Sequence, residues 1–492
     1  MTTTDNTTVN GAVNAPSTSI PFKVEQDYER LEISVGFSQK GWYSLFVFDS
    51  KSELRAQALF IQEPKTIVIS TCINHASFSS TPGIIPQGDW KIEIESPAYS
   101  ENHTYTIQIM GENNLDNIAE EVSVNGWSRS GSGDILELSL FSNDKIYNSE
   151  SRWYKGDFHT HTTESDGKMT PAAGMSQAKT MELDFFVATD HNIIPTKWIS
   201  EQVMVIPGIE ITSSKGHFNA LGLTKWVNWR PTTRDGGMET EVGMNRVIRE
   251  VKEVGAVVSI NHPMLKPWEW QFHETKLAEI DVIEIWNDPT YKDNPIATEQ
   301  ALHLWNVLWN DGHRIFGIGG SDSHLLPTES YQEGGAPSVI GDPATYIYCE
   351  GLSANSLLKG VLKGHAYVSR GPEYAIKITA NGKSYLPGDD LSQCFASEDE
   401  VVIHYQINPA KLEKDAQLYW ISEGQIISKE ILINGQEYKK QFNWNKKENA
   451  WLRFEVRSED GTLLSFANPI YSGTKQTTLH NWKDLLRAAK YL

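Results

Sequence analysis

The chain has 492 residues, of which 39% are hydrophobic, and it contains 16 tryptophans. Its length predicts several domains, and its apolar content excludes global disorder. The formal net charge of −20 disfavours a nucleic-acid-binding groove, because phosphate binding normally needs a surplus of Lys and Arg.

Residues 1–20 are rich in Thr, Asn and Ser, which predicts a flexible lead, and they lack the basic start and apolar core of a secretory signal. The cysteines, Cys72, Cys349 and Cys394, are far apart and form neither a disulfide framework nor a zinc ribbon. No apolar run reaches the roughly 18 residues of a membrane span. We therefore expect a cytoplasmic protein that acts on a small molecule, with no membrane or nucleic-acid partner. The oligomeric state stays open.

An N-terminal β-sandwich is predicted for residues 21–145. Short runs such as 31–35, 43–48 and 65–69 alternate apolar and polar residues, and turn signals such as Pro82-Gly83 separate them. Repeated short strands with turns between them are typical of a sandwich.

Residues 150–370 are expected to form the catalytic domain. Strand-like runs alternate there with helical patterns, which predicts βα units and a largely parallel sheet. The first helix is expected to have Thr170 as its cap and Pro171 at its first position, with residues 172–181 following. Apolar faces predict further helices at 239–254 and 297–310. A second β-sandwich is predicted for residues 371–475 and an amphipathic terminal helix for residues 476–492.

Candidate metal ligands follow the strand-like runs of the catalytic domain. His159 and His161, two positions apart on a strand, point to the same face, so both imidazoles can reach one ion. A lone His-x-His is equally consistent with a strand that carries two satisfied polar side chains. Six of the fourteen histidines and three carboxylates recur in order at such positions, however, and chance placement of the whole series is improbable. The series is His159, His161, Asp166, His191, Glu210, His217, His262, Asp322 and His324.

These ligand types indicate the chemistry of the site. Nitrogen and oxygen ligands without a thiolate suit Mn²⁺, Zn²⁺ or Fe²⁺ and do not distinguish among them. Nine ligands exceed what one ion needs, so two or three divalent ions are expected, with Glu210 able to bridge a pair. Such ions lower the pKa of a bound water towards about 7, which supplies a nucleophile at neutral pH.

The motifs His159-Thr160-His161, Thr189-Asp190-His191, Asn261-His262-Pro263 and Ser321-Asp322-Ser323-His324 resemble those of the PHP (polymerase and histidinol phosphatase) domain. The resemblance covers residues 150–370. Within that superfamily the β-rich flanks and the segment 367–372 are similar to the CehA/McbA-type metallohydrolases. The resemblance implies an α/β fold, a distorted PHP-type (β/α)7 barrel flanked by N-terminal and C-terminal β-sandwich domains.

The resemblance also implies a division of the ligands among three ions. One ion takes His159, His161, Glu210 and Asp322, a second takes Glu210, His217 and His262, and a third takes Asp166, His191 and His324. His217 or a bound water is expected to protonate the leaving group. Arg370 is a candidate oxyanion contact, with an ion pair as the alternative role. Asp190, a catalytic candidate, and Asp157 are expected to orient imidazoles.

Three functions are consistent with these residues and with the resemblance. The PHP resemblance implies a phosphoesterase that acts on a small phosphate ester, and the CehA/McbA-like architecture implies a hydrolase of carbamates, amides or aryl esters. A non-catalytic, carbohydrate-binding role is less favoured, because buried carboxylates and imidazoles are costly to retain without metal.

Overall fold

The computed structural model describes residues 5–61, 64–97, 99–113, 123–131, 135–396, 399–445 and 449–492. The N-terminal elements are β1 Asp5–Ala12, β2 Ser17–Val24, β3 Arg30–Phe37, β4 Tyr43–Phe48, β5 Leu54–Phe60, β6 Lys65–Ser70, β7 Gly88–Glu95, β8 Thr104–Glu112 and β9 Val124–Gly126. The central elements are β10 Asn148–Asp157, α1 Pro171–Thr180, β11 Phe185–Ala188, β12 Lys197–Ile199, β13 Met204–Ser213, β14 Gly216–Leu221, α2 Glu241–Glu253, β15 Val257–Ile260, β16 Val282–Asn287, α3 Asn294–Asp311, β17 Phe316–Gly320, β18 Ala344–Leu352, α4 Ala354–Leu362 and β19 Ala366–Ser369. The C-terminal elements are β20 Glu373–Ala380, β21 Lys383–Tyr385, β22 Glu400–Ala410, β23 Ala416–Ser422, β24 Gln425–Leu432, β25 Tyr438–Asn445, β26 Ala450–Arg457, β27 Leu463–Ala467, β28 Ile470–Ser472 and α5 Trp482–Ala488.

The N-terminal strands form two four-stranded antiparallel sheets, ordered β1-β8-β3-β6 and β2-β7-β4-β5. Alternate residues of each sheet, such as Ile33 and Ile107 in one and Leu45 and Ile92 in the other, meet in a common buried core. Period-2 alternation of apolar residues buries one face of each sheet, so the pair packs as a sandwich.

The beginning of the chain differs from the flexible lead predicted for residues 1–20. β1 pairs with β8 along its whole length, and β2 pairs with β7. Val13 and Ile20 are buried in the sandwich core, and Val9 packs against it. Apolar residues spaced along a Thr-rich segment therefore order it, because β-branched residues favour strands.

The central domain is a mixed α/β structure and does not show the closed (β/α)7 barrel expected from the sequence. Its strands lie in the order β17-β16-β15-β14-β13-β11-β10-β18-β19 within one large sheet. The pairs β10/β11, β11/β13, β15/β16 and β16/β17 are parallel, whereas β14 is antiparallel to both neighbours. The hairpin of β13 and β14 thus interrupts the regular βα repeat.

The backbone groups on the outer edge of β17 hydrogen-bond to side chains, because no neighbouring strand of the described chain pairs with this edge. Asn468 accepts the N–H of Gly317 at 2.8 Å and donates to the Gly317 carbonyl at 3.1 Å. The hydroxyl of Thr345 accepts the N–H of Gly319 at 3.0 Å and donates to its carbonyl at 2.7 Å. Buried backbone groups need hydrogen-bond partners, so these two side chains allow the edge of the sheet to lie inside the core.

Just beyond β17 the chain meets the segment that follows β10. The N–H of Asp322 donates to the carbonyl of His159 at 2.8 Å, and Thr160 forms an isolated parallel bridge with Ser323. The segments that follow β17 and β10 are therefore brought together, although β16, β15, β14, β13 and β11 separate β17 from β10 in the order of the sheet.

The C-terminal strands build a second two-layer unit. The sheet β21-β20-β22-β25 faces β27-β26-β23-β24, which continue the central sheet. Ile378 and Tyr405 from the first layer and Trp420 and Phe454 from the second lie in one core. The central domain and the C-terminal unit thus share a continuous sheet.

α1 begins directly after the predicted cap, and α2 begins two residues after the start of the predicted range 239–254. Thr170 accepts the N–H of Ala173 at the start of α1, and Thr240 caps α2 in the same way. α3 begins three residues before the predicted range, and α5 covers seven residues of the predicted 476–492. Within the described ranges, no helix is both long and apolar enough to cross a bilayer.

Replacing Asn468 by Ala tests whether a side chain substitutes for a strand at the β17 edge. The change leaves the buried N–H and carbonyl of Gly317 unpaired, which should cost about 1–3 kcal/mol for each group. Urea unfolding followed by tryptophan fluorescence measures the loss. The control Asn102→Ala, at an exposed position, should leave the midpoint unchanged; equal midpoints for the two variants would contradict this account.

Candidate metal centre

The nine predicted ligands meet at the carboxyl ends of the central strands. His159 and His161 follow β10 and Asp166 lies in the loop beyond them, while His191 follows β11 and His262 follows β15. Four further residues complete the set: Glu210 in β13, His217 in β14, and Asp322 and His324 after β17. Neighbouring strands end at the same edge of a sheet, which is why residues scattered along the sequence converge there.

The carboxylate of Glu210 lies at the centre of the group and is fully buried. Asn261 donates to its Oε1 at 2.8 Å. Five imidazoles have a ring nitrogen 2.6–3.5 Å from one of its two oxygens, namely those of His159, His161, His191, His217 and His262. One carboxylate thus faces five candidate ligands, which is the position that a residue bridging two ions would take.

Asp322 holds the opposite side of the centre. Its Oδ1 lies 2.9 Å from Nε2 of His161 and 3.2 Å from Nε2 of His159, and Asn287 donates to its Oδ2 at 3.2 Å. The backbone φ of Asp322 is +47° and that of His262 is +28°. Such conformations are strained for residues with a side chain and are typical of functional sites.

A third set of ligands lies nearer to solvent. Oδ1 of Asp166 is 3.2 Å from Nε2 of His324 and 3.4 Å from Nε2 of His191, and these two nitrogens are 3.4 Å apart. The side chains of Asp166 and His324 are 23% and 24% exposed. We call His161, Asp166, His191 and His324 the outer group, since His161 lies close to the other three.

Unpartnered polar atoms at the centre fit bound cations. In the described part of the chain, buried nitrogen and oxygen atoms without a hydrogen-bond partner cluster here: Nε2 of His159, both ring nitrogens of His161, Oδ1 of Asp166, Oε2 of Glu210, Nδ1 of His262 and Oδ1 of Asp322. Leaving such atoms unsatisfied is costly, and divalent ions would satisfy most of them. The all-nitrogen-and-oxygen donor set suits Mn²⁺, Zn²⁺ or Fe²⁺.

The candidate ligand atoms fall into groups that share members. Besides the outer group, ligand atoms lie within 4.8 Å of one another in three sets: His159, His161 and Asp322; His159, Glu210 and His262; and His191, Glu210 and His217. His161 belongs both to the outer group and to the group that contains Asp322. His191 belongs both to the outer group and to the group that contains Glu210 and His217. Side-chain direction decides which neighbours each imidazole shares, and the division of the ligands among three ions stays a prediction.

Burial and neighbouring charges shift the pKa values of several side chains in the site. Burial raises the pKa of Glu210, but the imidazoles of His159 and His191 outweigh burial and hold this pKa well below its usual range. Burial together with the neighbouring imidazoles of His324 and His191 lowers the pKa of His161 to about 4. His161 is therefore neutral at pH 7, which is the form that binds a metal.

Glu284, in β16, was missed by the sequence reasoning. Its Oε1 lies 2.9 Å from Nδ1 of His159, and its Oε2 accepts the N–H of His262 at 2.8 Å and the side-chain amide of Asn287 at 3.1 Å. A carboxylate on the far nitrogen of a ligand histidine fixes the ring and its tautomer. A lone charged residue in a fully buried strand was the available signal.

Asp157 does not orient an imidazole, contrary to the prediction. Its Oδ1 accepts the N–H groups of His159 and Ser321, both at 3.0 Å, and its Oδ2 accepts that of Gly341 at 2.7 Å. Burial raises the pKa of Asp157 to about 6. The residue holds the backbone of three segments around the centre.

Asp190 is likewise bound to a loop and not to an imidazole. Its carboxylate accepts the N–H and the hydroxyl of Thr162, both at 2.8 Å, and the hydroxyl of Ser165 at 2.6 Å. Arg370 pairs through Nε with both oxygens of Asp342, at 3.0 and 3.1 Å, and is not among the residues that line the cavity over the centre. The ion pair, the alternative role for Arg370, is what the structure shows.

A cavity of about 920 Å³ opens above the ligands. Its floor includes six of the nine: Asp166, His191, His217, His262, Asp322 and His324. Trp42 and Tyr99 from the N-terminal sandwich form one wall, and Trp268, Tyr291 and Tyr331 stand on the other. No Lys or Arg occurs among the described residues that line it.

Comparisons with known proteins add little to this geometry. No family model and no curated protein matches the sequence. A two-domain protein from Bacteroides vulgatus, described as containing a predicted PHP-like metal-dependent phosphoesterase, is 17% identical; the match covers 67% of this chain and 99% of that one, with a TM-score of 0.36. A structure described as "CBM4 structure and function" is 12% identical over 22% of this chain and 82% of that one, with a TM-score of 0.13. At such TM-scores neither likeness carries a functional argument.

Chelation should destabilise the protein. Ions that bind only the folded state stabilise it by about 2.7 kcal/mol at a concentration one hundred times the dissociation constant. We expect the metal-free protein to melt at a lower temperature than the untreated protein and added Mn²⁺ or Zn²⁺ to restore the midpoint. Differential scanning calorimetry measures the shift. In Glu210→Gln the response to metal should shrink, and an undiminished response would argue against the site.

Glu284→Gln should weaken metal binding without unfolding the chain. Loss of the carboxylate beside a ligand histidine typically lowers metal affinity 10–100-fold. Competition with a chromophoric chelator gives the affinity, and circular dichroism reports the fold. The matched control is Glu274→Gln, at an exposed position; identical affinities in both variants would remove Glu284 from the centre.

Proposed function

We propose that this protein is a metal-dependent hydrolase whose nine converging ligands hold two or three divalent ions at the floor of the cavity. The observation that carries the proposal is the buried carboxylate of Glu210, with five imidazole nitrogens within 3.5 Å of its oxygens. Ions held there would activate water and stabilise negative charge that develops on the substrate. The open cavity above them gives room for a small molecule.

The chain's own residues have distinct tasks in this proposal. Glu284 and Asn287 fix the rings and carboxylates on the sheet side, and Asp190 holds the loop that leads to Asp166. His217 lines the cavity with Nδ1 directed at Glu210, 3.2 Å away, which leaves its other ring nitrogen for proton transfer at a leaving group. Arg370 is left out because its guanidinium pairs with Asp342.

A phosphate ester is the first candidate substrate. The resemblance of the ligand motifs to the PHP domain supports this choice, since all nine ligand positions of that pattern are filled. Without Lys or Arg among the described lining residues, the charge of a phosphate group would have to be balanced by the metal centre alone.

A carbamate, amide or aryl ester is the second candidate. The aromatic walls of the cavity and its lack of Lys and Arg in the described lining favour an uncharged substrate. The carbonyl of such a substrate requires the same activated water and no cationic side chain. The two candidate substrates therefore differ in the charge of the group that is hydrolysed, and the same metal centre would act on both.

Paired assays separate the two candidates. p-Nitrophenyl phosphate tests the phosphoesterase activity, and a naphthyl carbamate and a naphthyl ester test carbonyl hydrolysis, each with added Mn²⁺ or Zn²⁺. Glu210→Gln should abolish whichever activity is found, because it removes the carboxylate shared by the ligand groups. Glu274→Gln should keep wild-type turnover. Failure on every substrate, or turnover that chelation leaves intact, would contradict a metal-dependent hydrolase.

A further inference from the structure

The outer group has contacts with the N-terminal sandwich in addition to its contacts within the central domain, such as that of His191 with Thr212. His159, Glu210 and Asp322 are held by Glu284, Asn261 and Asn287, which belong to the central sheet or directly follow its strands. The loops that carry Asp166 and His191 are also contacted by side chains of the N-terminal sandwich, among them Lys65, Ser79, Gln57 and Trp42.

Lys65, at the start of β6, makes the most extensive of these contacts. Its ammonium donates to the carbonyls of Leu59 at 2.7 Å, Ser165 at 2.8 Å and Glu164 at 3.1 Å. An ammonium has three N–H donors, so all of them are used. Ser165 directly precedes Asp166, and Lys65 therefore ties the backbone of that ligand loop to the sandwich.

Two more polar contacts act on the same loops. Ser79 donates to the carboxylate of Glu164 at 2.9 Å. Gln57, which is buried, donates to the carbonyl of Ile194 and accepts its N–H, both at 3.2 Å. Ile194 lies three residues beyond His191, so both ligand loops are fixed to strands or loops of one sandwich.

Trp42 adds an apolar contact at the ligand itself. Its ring lies edge-on to that of His191, with 5.4 Å between the ring centroids. Trp42 belongs to the loop between β3 and β4 and also lines the cavity. The sandwich therefore restrains both the backbone and a side chain of the outer group.

We propose that the N-terminal sandwich determines whether the outer metal position is filled, with Lys65 and Gln57 as positioning residues for Asp166 and His191. The inference rests on the proposed metal centre. Ligand distances in metal sites are held within about 0.2 Å, so a loop released from the sandwich loses affinity even though every ligand is still present. The inner ligands, fixed by the central sheet, keep their ions.

Titration of the full-length, metal-free protein with Mn²⁺, followed by the electron paramagnetic resonance signal of the free ion, tests this directly. Lys65→Met should weaken one ion by about 10–100-fold and leave the affinities of the remaining ions at wild-type values. Glu284→Gln should show the opposite pattern, since it acts on His159. A uniform loss of stability would not produce two different patterns.

The matched control is Lys23→Met, an exposed lysine of the same sandwich that pairs with Glu25. It should bind all ions as the wild type does. Ser79→Ala, a smaller change in the same contact region, should weaken the same single ion if Lys65→Met does not fold. Wild-type affinity for every ion in Lys65→Met, or in Ser79→Ala, would overturn the inference, and so would an equal loss of all ions. Absence of Mn²⁺ and Zn²⁺ binding by the wild-type protein would instead refute the proposed function.

Discussion

The burial of Glu210 is the constraint around which the rest of the structure is arranged. A carboxylate with no exposure is tolerated only when hydrogen bonds and opposite charge compensate it, and here an amide and five imidazoles surround it. Three of those imidazoles, in His159, His161 and His262, carry unpartnered nitrogens of their own, so the cluster is not self-sufficient. Divalent cations bound here would offset both costs, because they would supply positive charge beside the carboxylate and partners for the free lone pairs.

Convergence of the ligands depends on how the central sheet ends. The backbone groups on the outer edge of β17 hydrogen-bond to the side chains of Asn468 and Thr345, so no further strand of the described chain pairs with this edge. The segments beyond β17 and β10 can then meet, which places Asp322 beside His159. Because Asn468 comes from the C-terminal part of the chain, that region contributes to the geometry of the centre without touching it.

The N-terminal sandwich contributes from the opposite side. It supplies one wall of the cavity through Trp42 and Tyr99, and it contacts the loops of the outer group through Lys65 and Gln57. The two flanking units thus differ in their relation to the centre. The C-terminal unit shares a sheet with the central domain. The N-terminal sandwich instead contacts the ligand loops through side chains such as Lys65 and Gln57 and through a backbone hydrogen bond from the N–H of Thr196 to the carbonyl of Phe78, at 2.8 Å.

The sequence by itself indicated the nine candidate ligands, the two β-rich flanks and the Thr170 cap of α1, because these follow from local periodicity and residue chemistry. It did not determine the open, mixed sheet, the strand formed by residues 5–12, the sharing of ligands between groups, or the roles of Glu284 and Arg370. Those depend on hydrogen bonds between residues that are distant in sequence, such as Glu284 and His159, and on which way each side chain points. Only the tertiary structure decides them, since local pattern carries no information about distant partners.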